Sequence, residues 1–204
     1  MINMSTLPEH PFCTFVKQVA LQNHIKNILL NLQQRLKLNI NILLFCCWVA
    51  QTGRKQFNKK DIQNISTAIT PWHEQIVLTL KKLRKYLQQN TKPISHKISN
   101  IILEKEIIAD QIEQLLLVDT IMRPSYRRSA IQKLIDACKN ISVYCKESHH
   151  AMDQQDTELI KQLLSLVFPT LDRKQISTYW DTSFTKNKKH NLPSFTQFEL
   201  DEFL

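Results

Sequence analysis

The residues whose types and spacing first suggest chemistry are cysteines and histidines. Cys46 and Cys47 are adjacent, and Cys138 and Cys145 stand seven apart, which places the latter pair on one helix face. A structural zinc site is usually built from closely spaced pairs such as C-x-x-C, and the chain contains none. Free cysteine is among the most buried residue types, so the thiols are assigned to the core. Glu147 and His150, with Cys145 and His149 beside them, have the Glu-x-x-His spacing of carboxylate-bridged di-metal bundles. Such a site needs a second copy of the motif and two further carboxylates. The second copy is absent, so these read as solvated histidines at a helix end. His73 and Glu74 cannot begin a zincin motif because position 77 is Val77. No catalytic residue, metal ligand or cofactor is therefore predicted.

The cations are distributed more informatively. The net charge is +9, and residues 51–100 carry ten Lys and Arg against two Asp and Glu. The excess concentrates in Arg54, Lys55, Lys59 and Lys60, then in Lys81, Lys82, Arg84 and Lys85, a candidate contact surface for an acidic protein or a nucleic acid. Against this stands a general richness in Ile, Asn and Lys, which base composition alone can produce. Near the C-terminus, Gln197, Leu200, Phe203 and Leu204 resemble the Gln-x-x-Leu-x-x-Phe-Phe pattern of sliding-clamp-binding peptides, with Leu in place of the last aromatic. That makes them a candidate docking peptide.

The elements that must position these residues are helical. Gly53 is the single glycine in 204 residues, so phosphate-cradling loops, dinucleotide folds and tight-hairpin β proteins have no material from which to be built. The prolines fall between segments with a helical apolar period. Phe12 to Leu36 reads as helix with a break near Gln22 and Asn23. Asn39 caps a helix that ends at Gly53 and is apolar nearly all round, with Leu43, Leu44, Cys47 and Trp48 deep inside. A short helix over Asp61–Ile69 is followed by a new one starting at Pro71, whose stripe Trp72, Ile76, Leu80, Leu83 and Leu87 leaves the four cations of positions 81–85 on the flanks and outer face. The longest helix, about Ser95 to Met122, turns Ile98, Ile101, Ile102, Ile108 and Ile112 inward and Glu104, Lys105, Glu106, Asp110 and Glu113 outward. Further helices are expected over 125–147, 157–168 and 172–180. The prediction is all-α: one bundle of about six to eight helices over residues 8–180, with a flexible tail over 181–204.

The segments around Asn41–Trp48 and Pro71–Val77 resemble a bacterial family catalogued only as a domain of unknown function. Asn41, Leu43, Leu44, Phe45, Cys46, Trp48, Gly53, Pro71, Trp72 and Val77 match its pattern, and the likeness runs from about Phe12 to Pro169. His73 is a departure. The resemblance implies a cytoplasmic helical protein and brings no activity, substrate or catalytic residue.

Localisation and function follow as expectations. The start lacks a basic segment followed by an apolar one, so a cytoplasmic protein is expected. The five cysteines then read as reduced thiols. The longest apolar run, Ile42–Ala50, falls short of the roughly 20 residues needed to span a bilayer. The leading reading is a non-enzymatic interaction or regulatory module using the basic face. The alternatives are a nucleic-acid-associated protein and an enzyme or carrier with an apolar pocket between helices.

Overall fold

The computed structural model describes residues 9–185, apart from 23, 55, 90, 91, 122, 123, 149 and 150. Its helices are α1 (Pro11–Ala20), α2 (Ile25–Leu36), α3 (Ile40–Gln51), α4 (Lys59–Trp72), α5 (Leu78–Gln88), α6 (Pro93–Asp119), α7 (Ala130–Glu147), α8 (Gln154–Val167) and α9 (Arg173–Thr185), with a π-helical turn at His73–Val77 joining α4 to α5. With α4, the π turn and α5 taken as one rod, the described residues form eight rods and no sheet. The all-α prediction holds.

The centre is α3, in which every residue from Asn41 to Ala50 is buried. Asn39 caps it as expected, its side chain accepting from the N–H groups of Asn41 and Ile42. Phe45 lies 5.0 Å from Phe12 and 5.8 Å from Trp48, so α1 is held to α3 by aromatic contacts. On the opposite side α7 lies along α3 through Asn140. This fully buried amide donates to the Cys46 carbonyl and accepts from the Phe57 N–H, satisfying two backbone groups that would otherwise be buried unpaired. The five cysteines are buried free thiols.

Two expected elements are corrected. The first is the helix start at Pro71, which instead lies inside α4. Proline has no N–H to return to the preceding turn, and the strain is followed by the π turn, where the Leu78 N–H reaches back five residues to the His73 carbonyl. The extra residue rotates everything beyond it by about 100°. Ile76 and Leu83 are thereby exposed, and Lys81 and Arg84 are turned towards α6. The second correction is the register of α6. Glu106 and Glu113 are buried, whereas Ile98 and Ile101 are exposed. The periodicity assumed an apolar neighbour, but α5 presents cations, and α6 answers with carboxylates.

The bundle also ends later than expected. Residues 181–185 belong to α9, where Phe184 stacks on Trp180 at 5.5 Å with the i, i+4 spacing of one helix face. Residues 186–204, including the candidate docking residues Gln197, Leu200, Phe203 and Leu204, lie outside the described residues. Among the described residues, no helix is long and apolar enough to cross a membrane.

Candidate functional site

The basic residues singled out from sequence have different surroundings. Lys81 Nζ lies 3.3 Å from Asp110, and Arg84 holds Glu106 through two nitrogens at 2.6 and 3.2 Å, so both cations stitch α5 to α6. Lys82 and Lys85 are exposed on the same helix. Lys59 pairs with Glu147 at 3.2 Å, Lys60 is exposed, and Arg54 sits 5.0 Å over the ring of Trp48. Lys55, His149 and His150 lie outside the described residues.

With charge on the inside of the α5–α6 hairpin, exposed apolar side chains stand on its flanks, Ile94, Ile98 and Ile101 on one side of α6 and Leu103 and Ile107 on the other. Twelve large hydrophobic residues are exposed in the described chain, and eight of them are Ile76, Leu83, Tyr86, Ile94, Ile98, Ile101, Leu103 and Ile107. Isolated exposed leucines are ordinary, whereas this hairpin and the π turn before it carry most of the exposed large hydrophobic residues described. The sequence does contain these isoleucines at helical spacing. Nothing in the spacing alone says that their helix would turn them outward.

A polar centre forms where the π turn meets the start of α3. Glu113, with no exposed surface, accepts from the side-chain amides of Asn39 and Asn41, each at 2.9 Å, and lies 2.8 Å from His73 Nδ1. Burial alone would raise this carboxyl; the bonds from His73, Asn41 and Asn39 outweigh it and hold the group below its ordinary value. An ionised Glu113 has no proton to give, so His73 Nδ1–H is the donor. The same His73 Nδ1 stands 2.9 Å from Asn39 Nδ2. His73 borders a cleft of about 300 Å³ that is also lined by Lys37, Ile42, Thr70, Glu74, Tyr144 and Glu147. Asn39 and Tyr144 close the wall, the Tyr144 hydroxyl accepting from the Asn39 N–H at 2.8 Å. Burial pushes this phenol's pKa up, so it stays protonated. Among the described residues, no group of three or more His, Cys, Asp or Glu is arranged to hold a metal ion.

A family model matches residues 12–117, more than half of the chain. The chain belongs to that family, described as Protein of unknown function (DUF2390). The DUF2390 stretch contains the central helix α3, the π turn, α5, all of α6 but its last two residues, and Asn39, Asn41, His73 and Glu113. Tyr144, Glu147 and helices α7–α9 lie beyond it. No curated protein and no solved structure matches the chain.

Proposed function

We propose that this chain is a non-enzymatic interaction module whose contact surface is the α5–α6 hairpin. The observation that carries the reading is the concentration of seven of the twelve exposed large hydrophobic residues on that hairpin, with an eighth, Ile76, in the adjoining π turn. Covering them removes apolar area from water, the main driving force of association between proteins. Exposed Lys82 and Lys85 add cations to the same hairpin, so the fitting partner offers apolar side chains together with acidic ones. The ion pairs Arg84–Glu106 and Lys81–Asp110 keep the two helices together without help from the outer residues. The surface can therefore exist before the partner arrives.

A photo-crosslinking amino acid placed at Ile101 in the full chain, expressed in its native cell, tests this. Expected are discrete protein adducts from Ile101 and from Ile98, and none from a control at Leu30, which is exposed on α2. Equal labelling at all three positions, or none at any, would sink the proposal. A supporting variant pair is Ile98→Lys with Ile101→Lys. Both positions face water, so the fold should survive while the adducts from a probe at Ile94 disappear.

A further inference from the structure

A second surface is assembled from two segments seventy residues apart. Among the described residues, 52–60 contribute Arg54, Lys59 and Lys60, and 121–133 contribute Arg127, Arg128 and Lys133, with no Asp or Glu in either segment. Only the first of these segments stands out as a basic cluster beside α5; the fold adds the second to it. Arg54 and Ser125 form an isolated antiparallel bridge, the Tyr126 N–H donates to the Gly53 carbonyl at 3.1 Å, and the Ser125 hydroxyl donates to the Thr52 carbonyl. Gly53 permits this approach. Its φ is +73°, and a Cβ there would stand 2.1 Å from the Tyr126 carbonyl oxygen.

The resulting ridge is cationic and aromatic. Arg54 sits over the Trp48 ring, Tyr126 is 57% exposed, and Arg127 is exposed. Neither Arg54 nor Arg127 has an ion-pair partner among the described residues. Arg128 is anchored instead, 2.9 Å from the fully buried Asp136, and fixes the loop to α7. Gln56 also reaches Asp136, at 2.5 Å, and takes a bond from the exposed Lys139, which brings a further cation to the edge. Of the acids in these two segments' surroundings, Asp136 is buried and paired with Arg128, and Asp61 is held in the capping box of α4.

We propose that this ridge binds single-stranded nucleic acid, with Arg54, Arg127 and Lys139 at successive phosphates and Tyr126 stacked on a base. Unpaired guanidinium groups beside an exposed ring supply the two interactions that sequence-tolerant single-strand binding uses, a cationic track and a π platform. An acidic protein would be attracted by the charge but has no need of the ring. Duplex grooves are read by an inserted helix or ribbon, whereas this surface is an extended loop laid against a helix end. The site is separate from the α5–α6 hairpin, so either can exist without the other.

Fluorescence anisotropy of labelled 20-nucleotide oligo-dT and oligo-U with the full chain, at 50 and 200 mM salt, tests the proposal. Three neutralised phosphates give a log–log salt slope of about −2, hence a loss of roughly 15- to 20-fold between the two concentrations. Arg127→Gln should make the slope shallower by about 0.7, and Tyr126→Ala should weaken binding by roughly 5- to 100-fold. Both side chains are exposed, so melting temperatures should not move, while Lys82→Gln with Lys85→Gln should leave oligonucleotide binding unchanged. Absence of salt-sensitive binding, or variants at 126 and 127 that bind like the parent, would overturn the proposal. Polyglutamate competing as well as oligo-dT, with Tyr126→Ala without effect, would assign the ridge to an acidic protein and overturn it equally.

Discussion

His73 Nδ1 and Glu113 Oε2, forty residues apart in the chain, lie 2.8 Å from each other at the junction of α6 with the π turn. The carboxylate has no access to water and is matched by three donors, two of them from the cap and first turn of α3. It therefore ties the central helix to both neighbours at once. Removing the carboxylate in Glu113→Ala would leave the amides of Asn39 and Asn41 and the imidazole N–H without an acceptor, each costing about 1–3 kcal/mol when buried. Urea denaturation should show a loss of at least ~3 kcal/mol. A loss below ~1 kcal/mol would mean that water reaches the centre.

The same carboxylate predicts an acid-sensitive share of stability. Its folded pKa lies below the ordinary value of 4.5, so the fold holds the ionised form more strongly than the unfolded chain does. The contribution is fully present above the unfolded pKa and is lost as pH falls through the lower, folded one. The parent chain should lose melting temperature on acidification from about pH 5 to pH 3. Glu113→Gln should begin less stable and lose less over that interval, because its share has already been removed. Parallel curves for the two proteins would show that the carboxylate is not depressed.

Sequence reasoning was most successful where one element's environment is uniform. The helix from Ile40 to Gln51 is surrounded by protein, so apolar residues all round it are a sufficient sign, and Asn39 and Gly53 mark its ends by local chemistry. The break between α1 and α2 is legible for the same local reason. Glu106, Asp110 and Glu113 are different, because whether they face in or out depends on what the opposite helix offers. A helical period finds the apolar side of α6 but cannot say that Arg84, Asn41 and His73 would claim its polar side. Pro71 likewise reads as a start signal, and only the π turn after it reveals a continuous rod with a shifted phase. Residues 125–129, read from the sequence as the start of α7, instead lie outside any helix, because nothing local shows that Ser125 and Tyr126 would bond to Thr52 and Gly53.

The shifted phase of α5 can be tested through the pair it creates. Arg84 and Glu106 are mostly buried, with side chains 21% and 8% exposed. Breaking such a pair from one side strands the other charge, at a cost of about 3–5 kcal/mol for a fully buried pair and less here, whereas replacing both with apolar residues of similar volume is often near neutral. Arg84→Met should therefore destabilise the chain more than Arg84→Met combined with Glu106→Leu. A double-mutant cycle should give a coupling above ~1 kcal/mol. Coupling of a few tenths, the value common for solvated surface pairs, would place Arg84 on the outside of the hairpin, where the unshifted period puts it.

Gly53 offers the sharpest single-atom test of how residues 124–128 are held. A side chain at φ +73° costs roughly 1–2 kcal/mol from backbone sterics alone. The added Cβ at 2.1 Å from the Tyr126 carbonyl oxygen cannot be relieved by rotating a side chain, because the opposing atom is backbone. Relief requires the two segments to part. That breaks the Tyr126 N–H bond to the Gly53 carbonyl and the bridge between Arg54 and Ser125. Gly53→Ala should thus do two things: lower global stability by at least ~2 kcal/mol, and speed amide exchange at Tyr126 beyond what that loss explains. A destabilised protein that keeps Tyr126 protected in proportion to its global stability would show that the strain is absorbed within α3. An unchanged protein would show that the contact between Gly53 and Tyr126 is not made.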